Sequence, residues 1–98
     1  MMTVPKLWIA GEGTLKMHVK VYGADWCGDT VRTLKHLDRL GVDYEYINVE
    51  QDAQASEWVK AQNSGLERKP TVEIAGQVLS VPTDRELSSA LREKGLMA

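Results

Sequence analysis

The chain is 98 residues long, 43% apolar and close to charge balance, with 12 Lys and Arg against 14 Asp and Glu. That length makes one small domain with one core. The interspersed charges exclude a basic surface for nucleic acid, and no apolar run approaches the ~18 residues of a membrane span. One cysteine, Cys27, excludes an internal disulfide. With His18 and His36 far apart it cannot assemble a zinc site, and each histidine is expected to be an ordinary strand or helix residue.

Taken in chain order, the opening "MMTVPKLWIAGEGTLK" carries one early lysine, a short interrupted apolar stretch and no small-residue cleavage site. It makes a poor secretory signal, so a cytoplasmic location is expected. Residues 1–16 stand outside the pattern that follows and are expected to form a flexible N-terminal extension, favoured by Gly11 and Gly13. An added edge strand built on "KLWIA" is the alternative.

Residues 17–98 form the domain. "HVKVYG", His18 to Gly23, alternates and is β-branched, which predicts a strand that stops at glycine. From Cys27 onward, Val31, Leu34, Leu37 and Leu40 recur three apart with Arg32, Lys35 and Arg39 between them, an amphipathic helix ended by Gly41. "YEYINV", Tyr44 to Val49, is a second strand. One helix separates it from the first, so the two are parallel with a right-handed crossover. "DAQASEWVKAQNSG" predicts a helix from an Asp52 cap to Gly65, with Trp58, Val59 and Gln62 on its inward face. Strands at 71–74 and 77–79, joined by the tight Ala75-Gly76 turn, make a hairpin. "TDRELSSALREKG" closes the chain as a helix in which Thr83 and Glu86 have capping-box spacing. The order β-α-β-α-β-β-α predicts an α/β fold, a four-stranded mixed sheet with helices on both faces.

The chemistry concentrates in "YGADWCGDT", Tyr22 to Thr30. A thiol reacts as thiolate, and a sulfur at a helix start meets unpaired backbone N–H groups and the positive end of the helix dipole, both of which lower its pKa. Small Gly28 leaves room for a substrate. Asp25 and Asp29 oppose ionisation, and Arg68 and Lys69, if brought across a groove, offset part of this, so a modest net depression is expected. An inert buried cysteine is the alternative, against which the polar "GADWCGD" setting speaks. Trp26 either walls the sulfur or covers the helix end. Tyr22 is expected to pack its strand, and Asp29 to stabilise the helix dipole rather than move a proton.

The element order, the cysteine at a strand-to-helix turn in "VYGADWCGDT", the proline of "RKPTVEI" and the closing "GQVLSVPTDREL" together resemble the glutaredoxin branch of the thioredoxin fold over residues 17–95. The nearest resemblance is to its mycoredoxin-like group, which has a Trp-Cys-Gly-x-Cys site; this chain departs from it at Thr30. The resemblance implies a thiol–disulfide oxidoreductase with Cys27 as nucleophile. It makes Pro70 a cis-proline facing the sulfur, and Lys69 the residue whose backbone pairs with the substrate chain. From the residues alone, Pro70 is as readily a trans proline opening an edge strand.

The resemblance also implies a small thiol, glutathione or another, as cosubstrate, with no tightly bound cofactor and no resident metal. Trp26, Gly28, Thr83 and Asp84 join Lys69 and Pro70 as its substrate-binding residues, with the backbone at the Thr83 helix start holding the thiol's charged end. Two departures weaken a glutathione site: Ala24 stands where many glutaredoxins have a lysine, and there is no Gly-Gly pair before the last helix. The partners implied are glutathionylated and other mixed-disulfide proteins, met by a monomer. Thr30 cannot resolve a mixed disulfide, although it can donate a hydrogen bond toward the Cys27 sulfur, so the expected cycle is monothiol. Two alternatives stand beside it. One is a carrier of a two-iron, two-sulfur cluster, as in the Cys-Gly-Phe-Ser glutaredoxins, where the Asp29 charge counts against the match. The other is a thioredoxin-fold binding module without catalysis.

Overall fold

The computed structural model describes residues 18–97; the expectations for residues 1–16 lie outside the described residues. Seven elements follow in the expected order: β1 (Val19–Gly23), α1 (Gly28–Leu40), β2 (Glu45–Asn48), α2 (Ala53–Gln62), β3 (Thr71–Ile74), β4 (Gln77–Ser80) and α3 (Asp84–Glu93). The sheet runs β2-β1-β3-β4, parallel between β1 and β2 and antiparallel elsewhere.

The period-two alternation of β1 divides the core. Val19 and Val21 point to one face with Val72 and Ile74, where Leu37 of α1 and Leu87, Ala90 and Leu91 of α3 cover them. Tyr22 points to the other face with Val49 and with Ala55 and Val59 of α2. Its ring stacks on Trp58 at 4.5 Å between centroids, the strand-packing role expected of it.

Three details differ from the expected pattern. The three-residue recurrence puts Val31 on the apolar stripe of α1, but it is exposed, and the buried residues are Thr30, Thr33 and Leu37. The close approach of α1 to β1 sets this rotation: a Cβ added at Gly23 would sit 2.6 Å from Thr30 Cγ2, too near for any side chain. The second helix stops at Gln62, short of Gly65, because Asn63 turns inward. The buried Asn63 amide donates to the Val59 carbonyl (2.7 Å) and to Thr71 Oγ1 (3.2 Å), and its oxygen accepts from the Ser80 hydroxyl. Satisfied at both ends, that amide ties the helix end to the hairpin. Gln62, expected on the inward face, is consequently exposed, and Ala55 joins Val59 there instead.

The turn and caps hold as read. Ala75 (φ 48°) and Gly76 (φ 93°) are both left-handed, as a two-residue hairpin turn requires. The Thr83 cap is reciprocal: Glu86 N–H donates to Thr83 Oγ1 (3.1 Å), and Thr83 N–H donates to the Glu86 carboxylate (2.8 Å).

Candidate active site

Cys27 is the N-cap of α1. Its N–H donates to the Ala24 carbonyl (3.1 Å), closing the turn after β1, and its own carbonyl accepts the first helical bond from Val31 N–H (3.0 Å). The side chain is half-buried, so a visiting molecule reaches the sulfur. A Cβ placed on Gly28 would meet no atom within 4 Å, which leaves the space over the helix start open. Across from it the Lys69–Pro70 bond is cis, and in the thiol form Cys27 Sγ–H donates to the Lys69 carbonyl at 3.6 Å.

Partial burial is the largest single influence on the Cys27 thiol and pushes it up, and the Asp29 carboxylate adds to that. Hydrogen bonds from the Thr30 hydroxyl and from the backbone N–H groups of Thr30 and Asp29 outweigh both and leave the thiol below its ordinary value. Thr30 is only 1% exposed. Its Oγ1 accepts from Ala24 N–H at 3.4 Å, which leaves the hydroxyl proton for the sulfur.

The other groups expected to act on the thiol are engaged elsewhere. Asp25 is not among the groups that shift the Cys27 thiol, and its carboxylate accepts from the Tyr46 hydroxyl at 2.6 Å. Burial first, and then that hydrogen bond and the charge of Asp25, hold the Tyr46 hydroxyl far above the usual phenol value, so it stays a donor. Nor do Arg68 and Lys69 supply compensating charge: the Lys69 ammonium pairs with Glu67 at 3.0 Å, and Arg68 is exposed. Among the groups that shift the Cys27 thiol, those that lower it are hydrogen bonds and none is a charge pair.

Trp26, next to Cys27 in the chain, is 68% exposed, so it covers no core. Its indole N–H donates to Glu50 Oε2 at 2.7 Å, and the Lys69 ammonium lies 5.1 Å from the ring centroid. Thr83 and Asp84 lie farther along, in an open groove lined by Asp29, Arg32, Val81, Pro82, Thr83, Asp84 and Arg85. Both are already partnered. The Thr83 N–H and hydroxyl serve the helix cap, and the Asp84 carboxylate accepts from Arg32 Nη1, with His36 at 3.7 Å and Arg39 at 4.0 Å. Arg32 also donates to the Pro82 carbonyl (2.9 Å) and lies 3.6 Å from Asp29. Val81 joins the two loops, its N–H on the Pro70 carbonyl at 2.8 Å, with φ at 45°, an unfavourable region for a β-branched residue.

The structure thus gathers Trp26, Cys27, Gly28, Thr30, Lys69 and Pro70 around one sulfur. Gly23 against Thr30, Arg32 beside Asp29 and Glu50 on Trp26 add to this set, and sequence reasoning does not single them out as site residues. Arg32 left a trace in its spacing from Asp29. Glu50 left none, because its partner Trp26 is 24 residues away in the chain.

The glutaredoxin family model matches residues 19–79, a span that holds both Cys27 and Pro70. The chain belongs to the glutaredoxin family. It is similar to mycoredoxin 1 of Corynebacterium glutamicum, 46% identical over 55 residues, covering 56% of this chain and 67% of the relative. Among solved structures it is similar to the glutaredoxin-like NrdH-redoxin of Escherichia coli, 25% identical with a TM-score of 0.67 over 74% of this chain and 93% of the other. It is also similar to buckwheat glutaredoxin in its glutathione complex, 27% identical with a TM-score of 0.64 over 83% of this chain and 82% of the other. This glutaredoxin is a thiol–disulfide oxidoreductase with a thioredoxin-like fold, of a family that works with small thiols on mixed disulfides. No described helix of the glutaredoxin is long and apolar enough to cross a membrane.

Proposed function

We propose that this glutaredoxin runs a monothiol cycle on Cys27, as a monomer, with a small thiol such as glutathione as cosubstrate. The Cys27 thiolate attacks the small-thiol sulfur of a protein mixed disulfide. A bond forms between Cys27 and the small thiol, the old S–S bond breaks, and the protein leaves as thiolate and takes a proton from solvent. A second small thiol, as thiolate, then attacks the small-thiol sulfur of the Cys27 adduct. It leaves as the small-thiol disulfide and returns Cys27 as thiolate, so each turnover consumes one free small thiol and the other half of the disulfide comes from the substrate.

The observation that carries this reading is the Cys27 sulfur at the N-cap of α1, its thiol shifted below the ordinary value by hydrogen bonds from Thr30 and from backbone N–H groups. Thr30 is the hydrogen-bonding residue at the fourth position, where it favours ionisation and resolves nothing. Open space at Gly28 admits the disulfide, Trp26 flanks it, and the backbone at Lys69 and Pro70 pairs with its chain. The groove from Asp29 to Thr83 and Asp84 receives the small thiol. A shared iron–sulfur cluster is not favoured, because Asp29 sets a carboxylate against an anionic cluster as it does against the thiolate.

Release of thiol from a glutathionylated peptide, followed with excess glutathione, tests the reading. Wild type is expected to turn over and to carry a glutathione adduct on Cys27 by mass spectrometry, while Cys27→Ser stays at the uncatalysed rate. Equal rates for the two proteins overturn it.

A further inference from the structure

We infer that Glu50, in the loop between β2 and α2, is a positioning residue that acts through Trp26 to set how tightly a mixed-disulfide substrate docks on Cys27. The inference rests on the Cys27 exchange reading above and adds to it the residue that shapes the approach.

Trp26 adjoins the nucleophile and is 68% exposed, so no core packing decides where its ring points. Its rim contacts decide it. The indole N–H has a carboxylate acceptor in Glu50 at 2.7 Å, and the ring has the Lys69 ammonium 5.1 Å from its centroid. Both holders are themselves tied down. Glu50 N–H donates to Asn48 Oδ1 (2.9 Å), Gln51 N–H donates to the Asn48 carbonyl (3.1 Å), and the next residue, Asp52, caps α2 through Ala55 N–H (3.0 Å). Lys69 is held by Glu67 at 3.0 Å, and Glu67 accepts from the Ser56 hydroxyl.

The indole is therefore bracketed between the entry of α2 and the cis-proline loop, whose Lys69 carbonyl lies 3.6 Å from the sulfur. Glu50 is absent from the groups that shift the Cys27 thiol, so its influence is on the shape of the approach and not on the sulfur's ionisation. Freed from Glu50, an exposed indole turns about two side-chain torsions and no longer presents one surface to the incoming chain.

The test is steady-state kinetics with a glutathionylated peptide. Glu50→Ala is expected to raise KM for the peptide about three- to tenfold, with kcat and the thiolate absorbance titration of Cys27 unchanged. Glu50→Gln keeps an acceptor oxygen and is expected to return KM toward wild type. In a Trp26→Ala background, Glu50→Ala is expected to add nothing. The indole N–H resonance of Trp26, identified by its loss in Trp26→Ala, is expected to move in Glu50→Ala whether or not turnover is measured. A wild-type KM in Glu50→Ala, an unmoved resonance, or a penalty that persists without Trp26 overturns the inference. A wild-type protein with no Cys27-dependent turnover, seen together with a moved resonance, overturns the exchange reading instead.

Discussion

The two sides of the Cys27 sulfur are made by different physics. On the inner side the backbone of Gly23 lies against Thr30 so closely that no Cβ fits, and Thr30 is buried with its hydroxyl between Ala24 N–H and the sulfur. On the outer side stand exposed or half-exposed groups: Trp26 on Glu50, Lys69 on Glu67, and Arg32, His36 and Arg39 around Asp84. Close packing transmits every added atom, whereas each surface ion pair contributes ~0–1 kcal/mol. The inner side shifts the thiol of the sulfur, and on the proposed reading the outer side sets what reaches it. That reading makes reactivity and recognition separable.

The largest expected effect comes from Gly23→Ala. Its methyl drives into Thr30, and overpacking of this kind costs about 2–3 kcal/mol, read as a lower denaturant midpoint. An unchanged midpoint would mean that the inner side is as pliable as the outer.

Thr30→Val comes next. It keeps the volume but removes the hydroxyl, so the thiol rises toward its ordinary value. Turnover at neutral pH is expected to fall roughly three- to tenfold and to recover at alkaline pH, with about 1 kcal/mol of stability lost because Ala24 N–H has no acceptor. Thr30→Ser retains most of the activity. The sign on stability follows from the same shift. A thiol that titrates lower in the fold than in the unfolded chain stabilises the fold fully above the unfolded value, and that contribution fades as pH falls through the folded one. Cys27→Ser is expected to remove this pH dependence.

The smallest effect is expected from Asp84→Ala, which removes the carboxylate that Arg32 and Arg39 share on α1. It is expected to cost about 0.5–1 kcal/mol by denaturation and to leave the Cys27 titration where it was. A loss well beyond that would make the outer side a structural element and erase the contrast.

Much of the frame was legible in the residues themselves. The Asp52 cap, the Thr83–Glu86 box and the Ala75-Gly76 turn each depend on partners two or three positions away, and each formed as its spacing predicted. Helix faces were less secure. The three-residue recurrence of Val31, Leu34, Leu37 and Leu40 omitted the threonines that the Gly23 contact turns inward. In the same way, nothing beside Asn63 announces that its amide ends α2 early by reaching Thr71 and Ser80.

The residues alone therefore determined the element order, the helix caps, and a single thiol at a helix start with no second thiol in reach. All of these are properties of neighbours or of composition. Only the tertiary structure decided which groups act on that thiol. Asp25, close in the chain, is taken by Tyr46, and Asp84 is taken by Arg32 from 52 residues away. A hydrogen bond lives or dies within an ångström or so, and chain spacing does not specify separations that fine between segments brought together only by folding.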